Sequence, residues 1–177
     1  VSGDLSQRAG EEEYQQLLAF TAKLLEHVHD RDPRRVIFVP GNHDVDWGAD
    51  LGQARPFKDV IAEVREEPRA FLQKVLQDPM SSGYRARLSE AAEVEVIKLV
   101  ASRYPSRFAR VQRFLDSFYV DLAGRADFRG FKLTDPDETR HFSAHIFARE
   151  GVAFYGFNSC HGNDRYWTGA YISRTAI

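Results

Sequence analysis

The chain is poor in sulfur, with one cysteine and one methionine in 177 residues. A single thiol, Cys160, excludes an internal disulfide framework and fits a reducing compartment, so a cytoplasmic location is expected. Long apolar runs are missing too. None approaches the roughly 18 residues that suggest a membrane span, and no leader peptide is visible. Neither sign of charge dominates: Lys and Arg total 24, Asp and Glu total 26, and the net charge of −2 gives no nucleic-acid footprint, which would need a basic patch or stripe. No membrane partner is therefore expected and no clear nucleic-acid footprint is present, although nucleic acid stays among the open substrate classes. What remains is ordinary globular composition, 43% apolar and 28% charged, on a chain long enough for one domain with a real core. The sequence begins with Val1 and its only methionine is Met80, so it is read as a piece of a longer protein.

Two stretches carry chemistry. The first is Val39-Pro40-Gly41-Asn42-His43-Asp44, preceded by the apolar run Val36-Ile37-Phe38-Val39. Four apolar residues before a turn signal predict a strand buried on both faces, as in a parallel sheet. Pro40-Gly41 ends it. Asn42, His43 and Asp44 then fall just past the carboxyl end of a buried strand, where open α/β sheets place ligands. The second stretch is Val1-Ser2-Gly3-Asp4-Leu5-Ser6-Gln7-Arg8, whose Gly3-Asp4 reads as another strand end. One helix lies between them, predicted over residues 11–29: Tyr14, Leu17, Leu18, Thr21, Leu24, Leu25 and Val28 recur at helical spacing. Glu11, Glu12 and Glu13 suit its positive end, and Pro33 stops it. Strand end, helix and strand make a βαβ unit, which brings Asp4 and Asn42 side by side.

Gly-Asp followed, one helix later, by Gly-Asn-His-Asp after an apolar strand resembles the calcineurin-like metallophosphoesterases, in their bacterial form. The resemblance covers residues 1–47 clearly and 142–172 loosely. It implies an α/β fold, part of an α/β/β/α sandwich, and hydrolysis of phosphomonoesters or phosphodiesters at a centre of two divalent ions (Mn, Fe, Zn or Mg). By this resemblance Asp4 matches the carboxylate bridging both metals and Asn42 a ligand of the second. His43 matches the residue that contacts the phosphate and protonates the leaving oxygen. Asp44 matches the group that orients His43 by accepting its other ring N–H. Arg8 matches an arginine that touches the substrate phosphate, though Gln7 and Ala9 replace its usual neighbours. The family's Asp-x-His and Gly-His-x-His motifs do not occur in the chain. Truncation at both ends accounts for that, and the rest of the parent chain is then needed to complete the site. The alternative is a non-catalytic module that keeps the fold for binding or regulation.

The remainder reads as a helical insertion, or cap, at about 55–123 within a partial domain spanning 1–177. Helices are marked by Phe57, Val60, Ile61 and Val64; by Phe71, Leu72, Val75 and Leu76; by Val94, Ile97, Val100 and Ala101; and by Phe108, Val111, Phe114, Leu115, Phe118 and Tyr119. The aromatic stripe of the last is read as core packing. Strands resume at 142–147 and 152–157 around Glu150-Gly151, with a further extended segment at 169–172. His27 and His29 point to different helix faces and are rejected as a metal pair. His141 and His145 share a strand face, but no third ligand follows at suitable spacing. His161 and Asp164, after an Asn158-Ser159 turn, are weaker candidates to face the site. Cys160 is read as structural.

Overall fold

The computed structural model describes residues 3–47, 52–77, 82–99, 105–135 and 137–160. The protein is mixed α/β, with four helices and two small antiparallel sheets among these residues. It divides into two compact units, one formed by Val1–Gly48 with Pro105–Ile177, the other by Ala49–Tyr104.

In the first unit, helix α1 spans Glu11–Leu25. It is shorter than the predicted 11–29, because from Glu26 onward the backbone tightens: the amides of Glu26, His27 and Val28 each donate to the carbonyl three residues back. Asp30 and Arg31 then adopt positive φ, which no helix continues through. The face that turns inward carries Tyr14 and Thr21, 4% and 1% exposed. Tyr14 stacks on Phe114, ring centroids 5.7 Å apart. Phe114 belongs to the helix Ala109–Phe118, whose predicted stripe is buried in full, from Phe108 to Tyr119. Phe38, fully buried, meets Phe114 and Phe118 edge-on at 5.1 and 5.0 Å.

The residues Val36–Val39 do not form the parallel strand predicted for them. Both sheets are antiparallel throughout, and of these four residues only Val39 is in even an isolated bridge. Val36 and Phe38 are buried while Ile37 and Val39 are half-buried, so burial alternates instead of covering both faces. The reason is in the hydrogen bonds. The Phe38 amide donates to the Tyr119 hydroxyl at 3.2 Å, and that hydroxyl donates to the Val36 carbonyl at 2.6 Å. One phenol thus satisfies backbone groups that a neighbouring strand would otherwise take. At the end of the segment, the Gly3 amide donates to the Val39 carbonyl at 3.2 Å, which is the proximity of the two loops that the sequence implied.

The unit's sheet is a hairpin with a short third strand: Phe128–Arg129, Phe142–Phe147 and Val152–Phe157, with Phe142–Phe147 in the middle. The two longer strands are those predicted, and they pair antiparallel from Phe142 against Phe157 to Phe147 against Val152.

The second unit differs from the all-helical insertion predicted at 55–123. Helices α2 (Phe57–Val64) and α3 (Pro68–Gln77) form as the apolar spacing requires. The third predicted helix is instead a strand, Val94–Lys98, paired antiparallel with Tyr84–Leu88 on one side and Ala54–Pro56 on the other. Pairing on both sides decides against the helix: Val96 and Ile97 are both buried, and Glu95 forms an ion pair with Arg87 across the hairpin. The turn between these strands carries no glycine, proline or asparagine. Ala92 takes the positive φ, and the amide of Glu93 donates to Ser89 Oγ at 3.1 Å. Val60, Phe71, Val75 and Val96 close the core of this unit.

Candidate functional site

Asp44 holds the site's two loops together. It is fully buried, and each of its oxygens accepts two hydrogen bonds. Oδ2 takes the amides of Gly41 at 2.8 Å and Leu5 at 3.0 Å. Oδ1 takes the hydroxyls of Tyr14 at 2.9 Å and Ser6 at 3.0 Å. Burial raises its pKa from the ordinary carboxylate value, against the hydrogen bonds, which lower it. The four donors come from the loop after Gly3, from helix α1 and from Gly41 at the head of the turn Asn42–Asp44, so one carboxylate fixes all three relative to each other. Arg110, on the helix Ala109–Phe118, adds a second tie: its guanidinium donates to the Ala9 carbonyl at 3.0 Å and pairs with Asp46 at 3.3 Å.

Glycine is required at 41 for space. A Cβ there would collide with the Asp4 amide and carboxylate and lie 2.7 Å from the Gly3 carbonyl carbon. This close approach lets Asp4 reach the other loop, where its Oδ1 accepts the His43 amide at 3.0 Å. Asp4 is exposed, and its second oxygen makes no hydrogen bond to a described residue. The Asn42 side chain likewise makes none, while the Asn42 carbonyl accepts the Trp47 indole N–H at 2.9 Å. Two hard oxygen donors, one carboxylate and one amide, are thus uncommitted on adjoining loops.

His43 is exposed, and its ring lies beside Trp47 with centroids 6.1 Å apart. Its Nδ1 is 2.7 Å from the Gln7 carbonyl. A carbonyl only accepts, so Nδ1 carries the hydrogen and Nε2 is the nitrogen left for chemistry. This corrects the role given to Asp44. The group that orients the imidazole is the Gln7 carbonyl, because all the close acceptor positions of Asp44 are filled by other donors. Arg8 is exposed, and its guanidinium makes no hydrogen bond to a described residue.

Three contributors were not singled out from the sequence. Ser6 and Tyr14 bond Asp44. Glu13 accepts the amides of Gln7 at 2.8 Å, Arg8 at 3.2 Å and Gly10 at 2.8 Å, and these bonds, Gly10's first, lower its pKa. A Glu three residues after the glycine that starts the helix is a recognisable capping signal, whereas the charge pattern alone suggested only a dipole effect. An open cleft of about 520 Å³ runs between Asp4, Gln7 and His43 on the loops and Gln16, Leu17 and Phe20 on α1. A larger cleft, about 620 Å³, lies around Tyr119, Phe128 and Lys132 and contains none of the candidate residues.

His145 and His141 are engaged elsewhere. His145 is fully buried, its Nδ1 donates to the Arg34 carbonyl at 3.0 Å, and burial lowers its pKa. His141 Nε2 lies 2.7 Å from the Asp135 carbonyl. Cys160 is buried, with its thiol pushed up to about 11, which suits a structural residue. His161, Asp164 and the segment 169–172 lie outside the described residues. Among those described, no three His, Cys, Asp or Glu side chains form a group that could hold a metal ion, and no helix is long and apolar enough to cross a membrane.

Comparison of the chain with family models, with curated proteins and with solved structures gave no match.

Proposed function

We propose that this chain contributes to a metal-dependent phosphoester hydrolase, with Asp4 and Asn42 as metal ligands and His43 as the acid that protonates the leaving oxygen. The observation that carries the reading is the hydrogen bond from the His43 amide to Asp4 Oδ1, which joins the Gly-Asp and Gly-Asn-His-Asp loops. The donor set fits divalent ions: one carboxylate oxygen and one amide oxygen are uncommitted, and both are hard ligands. Two ligands do not close a centre; in this reading the remaining ones come from outside the described residues, in the α/β/β/α sandwich that the resemblance implies. When bound, the two ions supply a water activated for attack and charge to offset the phosphate.

This chain's own residues do the rest. The Gln7 carbonyl holds the His43 ring in one tautomer and orientation, so that Nε2, once protonated, can give its proton to the departing alkoxide. Asp44 holds the backbone on which Asp4, Asn42 and His43 are displayed and takes no part in proton transfer. Arg8, exposed on the loop after Asp4, is the candidate to pair with a substrate phosphate. Such an enzyme would act in the cytoplasm.

The test uses the full-length protein, with manganese content and hydrolysis of an aryl phosphodiester as readouts. His43→Gln should lower turnover roughly 10²–10⁴-fold with metal content unchanged. Asp4→Asn should lose metal. A His43→Gln protein that turns over poor-leaving-group diesters at the wild-type rate would defeat the assignment, and a wild-type protein that binds no divalent metal would favour the non-catalytic module.

A further inference from the structure

The cleft beside His43 has one wall that the proposed chemistry does not use. Glu13, Gln16, Leu17 and Phe20 line it from α1. They stand three and four residues apart, so they form one stripe along the helix. It is not the stripe that packs inward, which carries Tyr14 and Thr21. Its amino-terminal end is fixed: the Glu13 carboxylate grips three amides of the loop that carries Asp4. Its other end is an open aromatic ring, since Phe20 is 61% exposed. From Glu13 to Phe20 the helix rises about 10 Å, the scale of a phosphate with a ring-bearing alcohol attached.

The lining also discriminates by charge. Among the described residues no lysine or arginine lines this cleft, Arg8 lying outside it, and its acidic side chains are Asp4 and Glu13. A nucleic-acid strand or a polyphosphate, which needs cations along its length, is poorly served. A single phosphate beside His43, on the ions that Asp4 would help to hold, with an uncharged flat group reaching along α1, is well served. Leu17 and Phe20 offer that group an apolar face, and the Gln16 amide can both donate to and accept from a polar ring edge.

We infer that the α1 stripe Gln16–Leu17–Phe20 is the subsite for the alcohol part of the substrate, and that it selects phosphoesters carrying one flat ring, a nucleoside or an aryl group. The inference rests on the hydrolase reading above.

The test measures binding of three probes to the full-length protein loaded with manganese: methyl phosphate, phenyl phosphate and adenosine 5′-monophosphate. The wild type should bind a ring-bearing probe roughly 5- to 100-fold tighter than methyl phosphate, the range expected from ring stacking on an aromatic side chain. Phe20→Ala should abolish that advantage while leaving methyl phosphate affinity and manganese content unchanged. Phe20 is exposed, so the variant should keep its fold. An advantage for the adenosine probe alone, reduced by Gln16→Ala, identifies the ring as a nucleobase. An equal advantage for phenyl phosphate identifies any aryl group. Equal binding of all three probes by the wild type, or an advantage that survives Phe20→Ala, overturns the inference and leaves the hydrolase reading intact. Failure of methyl phosphate itself to bind defeats the hydrolase reading, and this inference falls with it.

Discussion

The second unit and the loops around Asp44 are held together by different means. In the unit Ala49–Tyr104, regular elements meet through apolar side chains, with Val60, Phe71, Val75 and Val96 at the centre. Around Asp44 there is little regular structure. Gly3 to Gly10 and Pro40 to Trp47 are loops and single turns, and what fixes them is a set of directed hydrogen bonds to Asp44, Glu13 and Arg110. Apolar packing tolerates a change of neighbour when volume is kept, whereas a buried carboxylate with four donors does not. The region that displays Asp4, Asn42 and His43 is therefore the one that depends most on single atoms.

That difference can be broken from either side. The largest effect should come from Asp44→Ala, which leaves buried amides and hydroxyls without an acceptor. Stability should fall by roughly 3–5 kcal/mol, read by urea denaturation. Hydrogen exchange should accelerate at Leu5 and Gly41 first, while residues 84–98 keep their protection. Phe71→Ala should do the reverse. It should cost roughly 3 kcal/mol through the cavity it leaves and expose the amides of 84–98 without affecting those of Leu5 and Gly41.

Smaller changes sharpen the contrast. Tyr119→Phe removes one hydroxyl and no apolar contact, so any loss belongs to the Val36 and Phe38 backbone. About 1–2 kcal/mol is expected, with faster exchange of the Phe38 amide as the specific sign. The smallest effect should be at Asp127, which is bonded by Arg125 and paired with Arg34. The Arg125 hydrogen bond, with the charge of Arg34, lowers its carboxyl from 3.8 to about 2. A depressed carboxylate contributes stability that is fully present above the unfolded value and is lost as pH falls through the folded one. The difference between wild type and Asp127→Asn should therefore be constant above about pH 4 and vanish toward pH 2 in acid-unfolding curves, beyond any shared acid loss. A difference that persists below pH 2 would assign the effect of Asp127 to something other than its charge.

The same contrast explains what could be read from the sequence. Helices α2 and α3, the helix Ala109–Phe118 and the hairpin Phe142–Phe157 follow from the spacing of apolar residues, because that spacing is how they bury surface. The hairpin at 84–98 does not follow from apolar spacing because its turn, Ser89 to Glu93, carries only a serine as a turn signal, and Ala92 adopts positive φ without a glycine to announce it. Val36–Val39 was misread for a different reason. A run of apolar residues records burial, but not which group satisfies its backbone, and here that group is a phenol 81 residues from the Phe38 amide. At the candidate site, the meeting of Asp4 with the His43 turn was legible from two short motifs. The partner of the His43 ring was not, because a backbone carbonyl leaves no trace in residue identity.

The Tyr119 hydroxyl has a consequence for the order in which the protein folds. It is separated by 81 residues from the Phe38 amide and by 83 from the Val36 carbonyl, whereas Tyr14 and Asp44 are only 30 apart. Closing the longer loop requires the chain to have reached the helix Ala109–Phe118, and distant contacts form slowly. On a ribosome the Asp44 cluster can therefore gather early, while the segment leading into it waits for the far half of the unit to be synthesised. Until that phenol arrives, the Val36 carbonyl and the Phe38 amide lack the partner they have in the folded protein, and in that interval they are open to pairing with the wrong strand.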